Sequence, residues 1–386
     1  MQQDLFSQDF APIRHTASHY VPVLQNKAGE LEALRRASPD VWSHITPLIN
    51  IVGPKKPRPN EVSVQISFEA LRSWAKRLAS AIGGRPFYLD ILRLKPSTLL
   101  KSDNIEFKGR RRARRRQYVL EQFYEFAQQQ RLDFVPVYRT DLGNETYTRI
   151  VRRAVTEIGR GFALRYPLLN TVSVLGPAEL AIKIVSDMGE QTRNVDLILD
   201  LEYIPAEADL DFDLTQQLVS SLSDSASWRN VILLGTSIPS SMSCISEGSV
   251  GRIQRAEWAL WKALRASGNP NLVFGDYGIQ HPKPPAEGGP GMRANIRYTS
   301  EESTIVARGR QVLTEGKEEY RKLCRQLLRH DEYLGDDFSW GDSQIGACAD
   351  GDTDPGSQNH WRAVGTSHHL AFVSGQLQSS SQESAS

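Results

Sequence analysis

The residues best suited to chemistry in this 386-residue chain are carboxylates that close short apolar runs. In Val195-Asp-Leu-Ile-Leu-Asp-Leu-Glu-Tyr203 the odd positions are apolar, which leaves Asp196, Ile198, Asp200 and Glu202 on the other face of an extended segment. Asp200 and Glu202 would then point the same way. The same alternation sets Asp90 with Tyr88, Arg165 with Ala163 and Asp276 with Phe274. If all these faces turn inward, the result is an acidic ring around one arginine. Carboxylates converging at low dielectric raise one another's pKa for general acid work, or hold a divalent cation through oxygen ligands. The candidate catalytic residues are therefore Asp90, Arg165, Asp200, Glu202, Asp276 and His368. The competing reading pairs Arg165 with one carboxylate and leaves the others hydrated at loop starts.

A second group could bind phosphate. Gly235-Thr-Ser-Ile-Pro239 and Gly275-Asp-Tyr-Gly278 offer loop amides and hydroxyls, so Thr236, Ser237, Gly275 and Gly278 are the candidates. Pro239 stands where a nucleophile elbow needs its second glycine, which argues against a serine hydrolase. A third group is the run Arg110, Arg111, Arg112, Arg114, Arg115 and Arg116. At a helix start the macrodipole disfavours such cations, and an external anion such as a nucleic-acid backbone would offset them. A solvated charged helix start, neutralised by Glu106 and Glu121, is the alternative. His368 and His369 are adjacent; in a strand they face opposite ways, so one of them could serve a given site. No HExxH occurs, the metal is unknown, and Asp350-Gly-Asp352-Thr-Asp354 lacks the glycine and glutamate of a calcium loop.

These residues need a scaffold that brings strand ends together. Short β-rich runs at 20–26, 45–52, 86–94, 133–139, 161–169, 195–203, 230–238 and 271–277 alternate with helix-period segments, among them 68–82, 112–129, 145–158, 178–188, 214–222 and 253–266. Eight repeats of about 36 residues read as an α/β fold, a (β/α)8 TIM-like barrel. An open doubly wound sheet loses ground because neither GxGxxG after the first strand nor GxxxxGK[ST] occurs. Pro22, Pro47, Pro136 and Pro167 fall within strands and predict bulges or strand starts. The expected organisation is an N-terminal arm (1–19), the barrel (20–291), a C-terminal α+β extension packed on it (292–373) and a disordered tail (374–386). The extension should hold a hairpin over 294–308, a helix over 317–329 and a final strand over 363–373.

Composition narrows the class. Apolar residues make up 40% and charged residues 24%, enough for a large core and too apolar for a disordered chain. Cys244, Cys324 and Cys348 form no CxxC pair, which fits a reducing cytoplasm, and no apolar stretch predicts a membrane span or a secretory signal. The net charge of +1 hides an asymmetry: residues 1–165 carry 28 Lys and Arg against 16 Asp and Glu, and the rest carry 18 against 29. Either the basic half meets nucleic acid or the two halves attract each other within one fold.

Several stretches resemble the phage beta protein family: Tyr20-Val-Pro-Val-Leu24, Lys27-Ala-Gly-Glu30, Ile45-Thr-Pro-Leu-Ile49, Ile296-Arg-Tyr-Thr299, Phe338-Ser-Trp-Gly-Asp342 and Trp361-Arg-Ala-Val-Gly-Thr-Ser-His-His369. Ser367 replaces the asparagine expected before the paired histidines, and the arginine run is not a mark of that family. The resemblance implies phages and mobile elements, hence antiviral defence, and brings no agreed reaction. The expected function is a cytoplasmic barrel protein that binds a phosphate-bearing ligand, nucleotide or nucleic acid, at its mouth, with hydrolysis of that ligand left open and a divalent cation as the possible cofactor. The alternative is a non-catalytic recognition subunit that binds a protein partner in a defence complex.

Overall fold

The computed structural model describes residues 14–16, 18–52, 68–90, 119–168, 176–205, 211–283, 293–312 and 316–383. Eight parallel strands close into a barrel: β1 (Tyr20–Gln25), β2 (Leu48–Asn50), β3 (Phe87–Asp90), β4 (Phe134–Arg139), β5 (Phe162–Pro167), β6 (Val195–Tyr203), β7 (Asn230–Thr236) and, pairing with both β7 and β1, β9 (Val273–Asp276). Between them run α1 (Ala28–Arg36), α2 (Pro39–His44), α3 (Phe68–Ile82), α4 (Val119–Gln129), α5 (Glu145–Ile158), α6 (Pro177–Asp187), α7 (Phe212–Asp224) and α8 (Ala256–Ala266). Local chemistry fixes the helix starts: Ser38, Asn144 and Asp211 each accept a backbone N–H of the first turn. The chain is thus an α/β barrel of the (β/α)8 type.

Both faces of these strands are buried. Val21, Leu48, Tyr88, Val135, Ala163, Ile198, Ile232 and Val273, one from each strand, belong to a single cluster that fills the barrel. Their alternates, such as Tyr20, Leu89, Phe134, Leu197 and Phe274, pack outward under the helices. The expected proline effects divide. Pro47 precedes β2, but Pro22, Pro136 and Pro167 pair within their strands with no register shift.

The β7–α8 connection makes an excursion, β8 (Ser249–Gln254), which takes the residues expected to begin a helix at Ile253. It pairs antiparallel with β11 (Ser303–Gln311), itself paired with β10 (Arg293–Thr299), as expected for a hairpin. The extension is completed by α9 (Glu318–Leu327), α10 (Trp340–Asp350) and α11 (Gln358–Glu383). Residues 363–373 are therefore helix, not strand, and residues 374–383, expected to be disordered, continue it. The reason is packing: residues 363–370 are all buried, so the segment has no polar stripe to reveal its period.

That last helix packs against α1, α2 and β1, and its Leu370, Val373 and Leu377 join the layer surrounding the barrel. It fills the place of the helix that should follow the eighth barrel strand. The approach is close at two glycines. A Cβ on Gly29 would lie 2.6 Å from the Asn359 carbonyl oxygen, and one on Gly365 would lie 2.8 Å from that of Arg297.

Candidate functional site

Parity places part of the expected ring as the sequence suggested. Asp90, Arg165 and Asp200 lie at the upper ends of β3, β5 and β6, facing into the barrel with Tyr88, Ala163 and Ile198. Arg165 is buried, and each of the three nitrogens of its guanidinium donates a hydrogen bond. Nε donates to Asp200 Oδ2 (2.9 Å), and Nη1 donates to Asp90 Oδ2 (2.5 Å) and Asn50 Oδ1 (3.2 Å). Nη2 donates to the Tyr277 hydroxyl (2.6 Å) and lies 2.7 Å from Asp200 Oδ2. Burial works against the guanidinium charge, but Tyr277, Asp200 and Asp90 outweigh it and hold the Arg165 pKa well above its usual value. Tyr277, whose pKa burial and Asp200 push well up, stays protonated and donates to Asp200. The site is a saturated ion cluster.

Arg139 stands beside it at the end of β4. Its Nε and Nη2 hold Asp141 (3.0 and 2.9 Å), while Nη1 lies 3.7 Å from Asp90 Oδ2, buried and without a hydrogen-bond acceptor among the described residues.

Two of the expected ring members are elsewhere. Glu202 leaves the inward face because β6 shifts register between Asp200 and Tyr203 and Glu202 itself takes φ +53°. Its carboxylate meets Lys283 Nζ at 2.8 Å. Asp276 does share a face with Phe274, as the alternation required, but that face is the outer one: Phe274 packs on Trp258 and Trp261 under the helices.

There Asp276 meets the C-terminal extension. Its Oδ1 accepts the Tyr20 hydroxyl (2.5 Å) and the Gly278 N–H (2.8 Å), and His369 Nε2 lies 3.0 Å from Oδ2. Burial would raise the Asp276 pKa, but His369, Tyr20 and Arg255 together hold it below the usual value. An ionised Asp276 accepts only, so Nε2 carries the His369 proton, and Nδ1 is bonded with Thr299 Oγ1 (2.7 Å). His368 does not reach the mouth. Its Nε2 meets the Thr299 carbonyl (2.8 Å), and its Nδ1 meets Asp342 Oδ2 (3.0 Å), which also accepts Ser339 Oγ (2.6 Å). Tyr298 donates to Asp342 Oδ1 (2.9 Å).

The phosphate candidates are engaged as well. Ser237 Oγ donates to Glu257 Oε2 (2.6 Å), a carboxyl whose pKa burial pushes up to about 7. Thr236 Oγ1 accepts the Ile238 N–H. Gly275 faces the barrel interior, where a Cβ would also lie 2.8 Å from the Val21 carbonyl oxygen. Arg110, Arg111, Arg112, Arg114, Arg115 and Arg116 fall outside the described residues, in the connection from β3 to α4.

The opposite end of the barrel is closed by polar packing. Asp196, the inward residue at the start of β6, is held by Arg229 (2.8 and 2.5 Å) and Asn230 (2.6 Å). His15 and His19 stack with ring centroids 4.1 Å apart, and burial holds their pKa values at about 3 and about 2. His15 reaches Tyr88 inside the barrel at 2.8 Å. Both histidines are neutral plugs at neutral pH.

Sequence reasoning missed Asn50, Arg139 and Tyr277 in the mouth, and Tyr20, Thr299 and Asp342 at the junction, where it had offered only the histidine pair and Asp276. Their signal was present: four of the six motifs that carried the resemblance supply the junction's side chains. Among the described residues, no cluster of His, Cys, Asp and Glu could hold a metal, and no helix is long and apolar enough to cross a membrane. A comparison with curated proteins finds no match. The family described as Beta protein matches residues 20–375, from the first residue of β1 into α11 and so across both the barrel and its extension. The chain therefore belongs to the Beta protein family.

Proposed function

We propose that the barrel mouth binds a phosphate-bearing ligand, a nucleotide or nucleic acid, and does not hydrolyse it, in the setting of phage–host conflict that the family resemblance implies. The observation that carries this reading is Arg139 Nη1, a buried donor in the mouth with no acceptor among the described residues. Leaving such a group unmatched costs about 1–3 kcal/mol or more, which an oxygen of a ligand would recover. Net charge alone does not draw an anion in, since Arg139 and Arg165 face three carboxylates, Asp90, Asp141 and Asp200. A nucleotide that arrives with its divalent cation satisfies both needs. Binding without cleavage is supported by the state of Asp90 and Asp200, each tied to Arg165 rather than poised to take a proton.

Isothermal titration of magnesium-bound ATP and of a short single-stranded oligonucleotide tests the reading. Arg139→Gln should weaken the better of the two by ~10-fold or more, the value of a charge-assisted hydrogen bond. Unchanged affinity in the variant would exclude the mouth.

A second reading, a partner-binding subunit, is favoured by one surface. A groove of about 560 Å³ sets Trp258, Leu334, Phe338 and Phe372 beside the charged Lys262, Glu301 and Glu302, with Leu334 46% and Phe338 38% exposed. Apolar side chains gathered in a groove are a feature of protein-contact surfaces.

A further inference from the structure

The described arginines that are buried come with carboxylates. Arg165 has Asp90 and Asp200, Arg139 has Asp141, Arg160 has Asp133, Arg229 has Asp196, and Arg255 has Glu257 at 3.8 Å. A charge taken out of water needs such a partner, because its lost hydration is worth several kcal/mol. Arg297 breaks the pattern.

It sits on β10, in the stretch Ile296-Arg-Tyr-Thr299. Its Nη1 donates to the Ile279 carbonyl, three residues beyond the end of β9. Its Nε is enclosed and has no acceptor, and Nη2 makes no hydrogen bond to a described residue. No described carboxylate lies within the 4.0 Å of an ion pair, while the residue as a whole stays partly exposed. Burial, and then the charge of Arg362 on α11, bring its pKa down to about 10. The field of a second cation thus reaches Arg297, which has no described carboxylate to offset its charge. The arrangement is enforced by packing, because α11 passes at Gly365, where a Cβ would lie 2.8 Å from both the Arg297 carbonyl oxygen and Ile279 Cδ1.

We propose that Arg297 forms an anion site between β10, α11 and the loop after β9, and that it takes a phosphate group. The Nε–Nη2 edge of a guanidinium matches two oxygens of one phosphate, and Nη2 is the nitrogen a ligand reaches first. A bound phosphate would supply the missing counter-charge and raise the Arg297 pKa. This site lies apart from the Arg165 cluster, and it stands or falls independently of what the mouth binds.

The test is a ¹⁵N–¹H correlation spectrum of the arginine Nε–H groups in the full chain, with inorganic phosphate as the probe and a 5′-mononucleotide as a second arm. The Arg297 signal is assigned by its loss in Arg297→Gln. The expected result is a saturable shift of that signal, with weaker binding in Arg362→Gln because a positive charge whose field reaches the site is removed. Tighter binding of the mononucleotide would identify a phosphate ester as the ligand, and equal binding would identify the free anion. Arg297→Gln removes an unmatched buried charge, so it should fold at least as well as the parent, and Arg362→Gln provides the readout if it does not. An Arg297 signal that stays fixed up to ~10 mM of both probes, weaker than a specific site would be, overturns the proposal.

Discussion

Inside the mouth, one arginine gathers Asn50, Asp90, Asp200 and Tyr277 from around the barrel wall. On the outer side of the same strand ends, Asp276 is met by Tyr20 from β1 and His369 from α11, and the bonding continues through Thr299 and His368 to Asp342 on α10. Both regions are buried assemblies of carboxylates, tyrosine and a nitrogen base. They differ in what they connect. The first joins residues of the barrel to one another, and the second joins the barrel to a segment that follows it by nearly a hundred residues. Histidine beside aspartate thus joins the last helix to the barrel and to α10.

The largest effect should come from removing one side of the junction. Deleting residues 292–386 takes away α11, exposes the face of α1 it covers and leaves Asp276 without His369. Such a truncation should aggregate and lose cooperative unfolding in urea. A monomeric truncation that unfolds cooperatively would mean the extension is a separate domain.

Point changes sharpen the contrast. Arg165→Met strands two buried carboxylates, and breaking a buried ion pair in this way costs roughly 3–5 kcal/mol. His369→Ala leaves Asp276 two of its three donors and should cost less, about 1–3 kcal/mol. Equal losses in urea denaturation would erase the distinction between a charge cluster and a hydrogen-bonded seam.

Glu257, whose charge is felt at Asp276 of the outer region, makes stability depend on pH. Its folded pKa of about 7 lies above the usual 4.5, so the folded state holds the proton more tightly than the unfolded chain. Stability is then greatest below the unfolded value and falls as the pH rises from about 4.5 to about 7, by ~3 kcal/mol from this group. Glu257→Gln should flatten that slope, and an unchanged profile would place the charge elsewhere.

The smallest effect concerns the arginine run. Replacing Arg112, Arg115 and Arg116 with Gln should leave stability near that of the parent. If the chain binds duplex DNA through them, the slope of log affinity against log salt should flatten by about 0.9 for each phosphate that is no longer neutralised. An unchanged slope would make the run a charged surface only.

How much of this was legible in the sequence follows from burial. All eight barrel strands were, because each is a short β-rich run between turn residues. Parity within a strand was legible too, and it grouped Asp276 with Phe274. Which face turns inward was not, since in a parallel barrel both faces are apolar and nothing in Val273-Phe-Gly-Asp276 marks the outside. The α11 helix was hidden for the same reason: packed on nearly every side over 363–370, it shows no amphipathic stripe. The turn of Glu202 away from the ring depends on one residue at φ +53°, a tertiary choice that alternation does not encode.

The central claim is that the mouth binds a phosphate-bearing ligand without cleaving it, and phosphorus NMR addresses both halves in one sample. Magnesium-bound ATP, followed over hours with the full-length protein, should show broadened or shifted resonances, no new phosphate signal, and free-ligand lines with Arg139→Gln. Steady growth of inorganic phosphate would contradict the account, as would the same broadening in the variant.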